Sequence, residues 1–235
     1  MTHPADLRVT SIDLIAGDGQ TLRGYRAEPR GISRGRMVVL HEIFGLNRHI
    51  REVCDGYALL GYVAVAPALF DRAERGVELD YGHDGIDRGR RLRAAIAWEK
   101  SLLDVQAAID AAGEGGAVAV LGYCWGGTLA FLAATRLRGL TCAVSYYGGQ
   151  TTPFAAEHIR VPMMMHFGEL DPRIPEVDIL EVARHNPQIE IHRYPADHGF
   201  NCDHRKEWDR TSAHSALART LSFLDRSLPA SAAGG

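Results

Sequence analysis

The chain carries little cysteine, no excess of basic charge and no polar low-complexity core. Its four cysteines, at positions 54, 124, 142 and 202 of 235 residues, have neither the density of a disulfide-stapled scaffold nor the paired spacing of a zinc site. All four are therefore expected as free thiols, and the spacing implies no metal. A formal net charge of -3 gives no long-range attraction for phosphate backbones or anionic bilayers, so neither nucleic acid nor a membrane surface is an expected partner. The opening residues, MTHPADLRVT, lack an apolar run behind a basic segment. They do not read as a secretory signal, and the expected location is cytoplasmic.

One stretch, residues 117–135, is apolar enough and long enough to resemble a membrane span. Gly122, Gly126 and Gly127 would weaken a continuous helix there. Valines crowd its first part, while alanine and leucine dominate its second. The stretch reads as a buried strand, a tight turn and a buried helix.

With 46% hydrophobic and 23% charged residues, the composition is that of a soluble globular protein, and residues 1–235 fit one domain. Segments 8–15 and 21–27 flank Gly17-Asp18-Gly19 and partly alternate in polarity, which predicts an antiparallel hairpin at a sheet edge. Short continuous apolar runs follow at 37–40, 62–66, 117–121, 142–147, 161–167 and 189–194. Each has the length and polarity of a strand buried on both faces. Between them lie helical spacings, such as Ile50, Val53, Tyr57 and Leu60. The alternation predicts an α/β fold with a mostly parallel, doubly wound sheet and functional loops beyond the carboxyl ends of the strands. Residues 71–93, rich in charge and glycine, read as an excursion over the site's rim, with Arg88, Arg90, Arg91 and Arg93 on a solvated helix face. The small, polar residues 229–235 read as a frayed tail.

Gly122-Tyr123-Cys124-Trp125-Gly126 has the form G-x-C-x-G, with an apolar strand directly before it and a helix-forming run directly after. A sharp strand-to-helix turn of this kind strains its central residue and aims that side chain into the crevice above the sheet. The start of the following helix supplies partial positive charge that favours thiolate over thiol. Cys124 is thus the candidate nucleophile, whereas Cys54 and Cys142 read as small core residues. Further along, Asp171 and His198 each follow an apolar strand. The order nucleophile, acid, histidine is that of α/β-hydrolases in general. In this reading Asp171 fixes the tautomer of His198, and His198 moves protons to and from the reacting groups.

Four pieces, taken in order, resemble the dienelactone hydrolase (carboxymethylenebutenolidase) family: His41-Glu42-Ile43-Phe44-Gly45, the run GYCWGG at 122–127, Gly168-Glu-Leu-Asp171, and His198-Gly199-Phe200. The resemblance implies an α/β-hydrolase fold and a cysteine-dependent hydrolase of small carboxylic esters or lactones acting through a thioester, without a cofactor. It implies that Glu42 helps deprotonate Cys124 when substrate arrives, and that the backbone N–H groups of Ile43 and Trp125 form the oxyanion hole. Arg72 occupies the place of one arginine that grips the substrate's carboxylate. The second arginine, expected closely after the catalytic histidine, is absent from Gly199-Phe200-Asn201-Cys202-Asp203, and nothing in the spacing assigns its role to Arg205. Aryl esters or phosphoesters on the same triad, or a non-hydrolytic ligand-binding or redox-sensing role for the fold, are the alternative readings. A monomer or small homo-oligomer is expected.

Overall fold

A computed structural model describes residues 7–113 and 116–228; the expected frayed tail at 229–235 lies outside the described residues. The strands are β1 (Leu7–Ile15), β2 (Thr21–Pro29), β3 (Gly35–Leu40), β4 (Tyr62–Pro67), β5 (Val118–Tyr123), β6 (Leu140–Tyr146), β7 (Met163–Gly168) and β8 (Glu190–Tyr194). They form one sheet in the order β1-β2-β4-β3-β5-β6-β7-β8. β1 and β2 are the predicted antiparallel hairpin, in register from Leu7 opposite Pro29 to Ile15 opposite Thr21. β2 joins β4 antiparallel, and from β4 to β8 every pairing is parallel.

Burial follows from this arrangement. Every residue of β4, β5 and β7 is buried, because helices cover both faces of a parallel sheet and leave no solvent side for a polar alternation. The edge strand β1 is mostly exposed. Strand starts depart from the apolar runs where the backbone decides rather than the side chains. Gly35 and Arg36 add no hydrophobic signal, yet they pair with Tyr62 and Val63. Pro162 cannot donate to a ladder, so β7 begins at Met163, and the Pro162 carbonyl accepts from the Ala143 N–H.

Helix α1 (Arg48–Leu59) crosses from β3 to β4, and α4 (Trp125–Arg136) crosses from β5 to β6. These right-handed crossovers run in opposite directions along the sheet, so the two helices lie on opposite faces. α3 (Trp98–Gly113) packs beside α4, whereas α6 (Arg210–Ser227) borders a cleft shared with α1. Strand order reverses at β3 and β5, which are neighbours. A crevice beyond their carboxyl ends is where such a sheet binds ligands. The run 117–135 divides into β5, a turn and α4, and among the described residues no helix is long and apolar enough to cross a membrane.

The charged segment 71–93 is more ordered than its composition suggests. It contains the end of a 3-10 turn at Leu69–Arg72 and the helix α2 (His83–Ala94). Gly85 and Gly89 are the buried residues of α2. A Cβ on Gly89 would lie 1.9 Å from the carbonyl oxygen of Ile43, so only glycine lets α2 rest on the loop after β3.

Candidate active site

Cys124 stands between β5 and α4 at φ 52°, ψ -111°, a left-handed conformation that costs a non-glycine residue about 1–3 kcal/mol. The surrounding packing holds it there. A Cβ on Gly122 would lie 1.9 Å from the Gly126 carbonyl oxygen, and one on Gly126 would lie 2.3 Å from that of Leu40. The Cys124 N–H donates to Tyr146 O at 2.9 Å, and its carbonyl accepts the first helical bond of α4, from the Thr128 N–H at 3.1 Å. The thiol is partly exposed, whereas Cys54, Cys142 and Cys202 are buried. Burial pushes the Cys142 and Cys202 thiols up to about 12 and that of Cys54 up as well. Those three are protonated at neutral pH.

His198 and Asp171 meet across the loops that follow β8 and β7. The His198 ring places Nδ1 2.6 Å from Asp171 Oδ2, and the other carboxylate oxygen accepts from the Arg173 N–H at 2.8 Å. Cys124 and His198 line the same cleft. Burial opposes a charge on His198, but Cys124 and Asp171 together outweigh it and raise the pKa. Tyr147, which the sequence pattern does not single out, packs its ring 5.0 Å from that of His198. It too has a left-handed backbone, at φ 42°. Only its non-glycine positive φ, a tertiary property, marks it.

A cleft of about 400 Å³ connects these groups and is lined by Ile43, Cys124, Trp125 and His198 together with Arg90, Arg93, Arg173 and Arg205. Trp125 opens α4, so its N–H has no intrahelical partner. Ile43 lies in the loop whose carbonyl rests on Gly89. Both expected oxyanion donors thus border the same cleft as the thiol.

Glu42 is buried, with 2% of its side chain exposed, and Oε1 accepts from Arg205 Nη1 at 3.2 Å. Arg205 also meets Glu207 at 3.3 Å. Its guanidinium lies 5.6 Å from the Phe44 ring and 5.7 Å from the Tyr81 ring. The loop coils to bring it there. Cys202, Arg205 and Trp208 each donate an N–H to a carbonyl three residues back, and Gly199, at φ 83°, leaves the space that the guanidinium fills. The coil thus brings Arg205 to the cleft, a placement that linear spacing does not reveal.

Arg72 requires a correction. Its guanidinium is not in the cleft: it bonds Asp104 through Nε at 2.9 Å and Nη2 at 2.5 Å, and Asp18 through Nη1 at 2.9 Å. Asp104 has no exposed side chain, and burial pushes its carboxyl up despite the arginine beside it. Turning Arg72 toward a substrate would strand that carboxylate in the interior. A carboxylate on the buried stripe of α3, beside Leu102, Val105 and Ala108, is the sequence signal that points to such a partner. The solvated-face reading also holds only in part, since Arg93 turns inward. Its guanidinium lies 3.9 Å from the Trp98 ring, and its Nε is buried without a hydrogen-bond partner.

Residues 22–228 match the dienelactone hydrolase family. The chain belongs to that family. A Synechocystis sp. protein provisionally named carboxymethylenebutenolidase is 32% identical over 93% of this chain and 97% of its own length. A crystal structure from Klebsiella pneumoniae, provisionally named a dienelactone hydrolase, superposes with a TM-score of 0.81 at 26% identity, covering 93% of this chain and 99% of that one. The dienelactone hydrolase-like promiscuous phosphotriesterase P91, from metagenomic libraries, shares the fold at 22% identity, with a TM-score of 0.71 over 94% and 99% of the two chains.

Proposed function

We propose that this family member hydrolyses small carboxylic esters or lactones, with Cys124 as nucleophile, His198 as proton carrier and Asp171 as its orienting acid. The observation that carries the reading is the 2.6 Å contact between His198 and Asp171 in the cleft that also holds the strained Cys124. The thiolate attacks the carbonyl carbon, and the oxyanion that develops is met by the Ile43 and Trp125 N–H groups. The C–O bond then breaks, His198 gives its proton to the leaving alkoxide, and a thioester remains on Cys124. Water, relieved of a proton by the now neutral His198, attacks the thioester. The C–S bond breaks, the carboxylic acid leaves, and the sulfur regains its proton.

The cleft favours substrates bearing an acidic group. Arg93, Arg173 and Arg205 all border it, and among the described residues no carboxylate pairs with Arg93 or Arg173. A substrate carboxylate would compete with Glu42 for Arg205. Glu42, deprived of its counter-charge while still buried, would become a stronger base and take the thiol proton. In this reading activation of Cys124 is coupled to arrival of the right substrate, and Arg205 assumes the role that the resemblance gives to Arg72.

Mixing the protein with a panel of anionic esters, neutral esters and lactones, and weighing it, should reveal one acyl adduct located on Cys124. Cys124→Ala should lose the adduct and roughly four orders of magnitude in turnover while keeping its circular dichroism. Turnover near that of the parent protein would refute the thiol mechanism. A phosphotriester belongs in the same panel, because P91 shares the fold.

A further inference from the structure

The cleft between α1 and α6, about 470 Å³, lies apart from Cys124 and contains a polar cluster that the hydrolytic reading does not use. His49 projects from the first turn of α1, with 5% of its side chain exposed. Its Nδ1 is buried and has no hydrogen-bond partner of acceptable geometry. A buried imidazole nitrogen without a well-aligned partner is poorly compensated for the hydration it loses. What faces it is a set of further donors. Asp203 Oδ1 lies 3.3 Å from Nδ1, His204 Nε2 lies 3.9 Å from the same oxygen, and all three atoms fall within 4.8 Å of one another. Glu52, three residues after His49 on α1, places Oε2 2.6 Å from His204 Nε2.

We propose that His49, Asp203 and His204, with Glu52 as the fourth donor, form a structural site for a divalent transition-metal ion of the zinc type. Ligands about 2.0–2.1 Å from a tetrahedral ion stand roughly 3.3 Å from one another. The 3.3 Å and 3.9 Å separations within the His49, Asp203 and His204 set lie at and slightly above that value, and Glu52 stands beside His204 as the candidate for the remaining position. Two imidazoles with two carboxylates select zinc, nickel or copper over magnesium and calcium, which take oxygen donors. Asp203 is 59% exposed, giving the ion a way in. The physical consequence is a clip: the ion would fasten α1 to the loop after His198, at the two residues immediately before Arg205.

The probe is zinc chloride, titrated calorimetrically into the full chain freed of metal by chelation, with magnesium chloride in parallel. One zinc per chain should bind with a Kd in the micromolar range or below. At a hundredfold excess over Kd the melting temperature should rise by roughly 5 °C, and magnesium should do neither. His204→Ala and Asp203→Asn, both at solvent-accessible positions, should each weaken zinc binding at least tenfold and abolish the thermal shift while leaving the circular dichroism unchanged. Cys124→Ala should bind zinc as the parent does, since the thiol is no part of the site. The proposal is overturned if zinc binds no more tightly than magnesium, or if both cluster variants bind like the parent. Loss of binding in Cys124→Ala would assign the metal to the thiol and overturn it equally.

Discussion

Arg72 and Arg205, both largely hidden, face two carboxylates each, and only Arg205 borders the cleft. Arg72 ties Asp18 of the first hairpin turn to Asp104 of α3, and Arg205 ties Glu42 to Glu207. Their side chains are similarly hidden, 11% and 6% exposed. Arg72 is absent from the lining of the cleft and bonds Asp104 through two nitrogens, the geometry of a cross-link. Arg205 lines the cleft that also holds Cys124, and in the proposed function its bond to Glu42 is exchanged for one to a substrate carboxylate. The comparison teaches that the chemistry of an ion pair does not define its role; what a competing partner can reach does. His41 joins the two regions. Its Nε2 accepts from the Leu69 N–H, at the start of the turn that carries Arg72, while Nδ1 lies 2.6 Å from the Glu42 carbonyl oxygen. Those two bonds require the neutral ring protonated at Nδ1.

The strongest way to break the comparison is Glu42→Gln, which keeps shape but removes the proton acceptor. Turnover should fall by roughly two to four orders of magnitude with a much smaller change in KM, and raising the pH should restore part of it. A pH–rate profile matching the parent would reduce the Arg205–Glu42 pair to a second structural clamp. Next in size, Arg72→Ala strands Asp104 and should lower stability to urea by about 3–5 kcal/mol. Its ratio of kcat/KM for an anionic ester over the neutral analogue should stay that of the parent. A collapse of that ratio would return Arg72 to the substrate.

Arg205→Lys sharpens the contrast by keeping charge while losing the fork that can hold one carboxylate and release another. It should lower kcat/KM for the anionic ester about ten- to a hundredfold and for the neutral analogue far less. Equal losses on both substrates would argue against competition for Arg205. The smallest effect concerns His41, whose pKa burial pushes down to about 4. The unfolded chain takes up this proton near pH 6.5 and the folded one only near 4. Stability is therefore full above about 6.5 and falls as the pH drops toward 4, by up to roughly 1.4 kcal/mol per pH unit. His41→Asn, whose amide offers one donor and one acceptor and does not titrate, should show a shallower acid slope in urea unfolding. His166, pushed down to about 3 by burial, contributes to both proteins and cancels in the difference. Identical slopes would show that His41 is not the group that protonates.

Much of the fold was legible because its signals are local. Continuous apolar runs mark strands that helices cover on both faces, and Gly122 and Gly126 around Cys124 mark a turn in which a Cβ would strike backbone. The region after β8 was less legible. There the sequence shows a histidine and, seven residues on, an arginine, with no periodicity to say that three successive tight turns fold one back onto the other. Arg93 was misread for a related reason, since helical spacing gives the face a side chain occupies but not the tryptophan waiting across a loop.

The sequence by itself determined the doubly wound sheet, the strained turn at Cys124 and the chain order of Cys124, Asp171 and His198, because each follows from steric and hydrophobic constraints among near neighbours. Only the tertiary structure decided that Arg205, and not Arg72, faces the cleft. Asp18 and Asp104 lie 54 and 32 residues from Arg72, and Glu42 lies 163 residues from Arg205. A buried charge is claimed by whichever opposite charge the packed chain brings within hydrogen-bonding distance, and at such separations spacing carries no information about that distance.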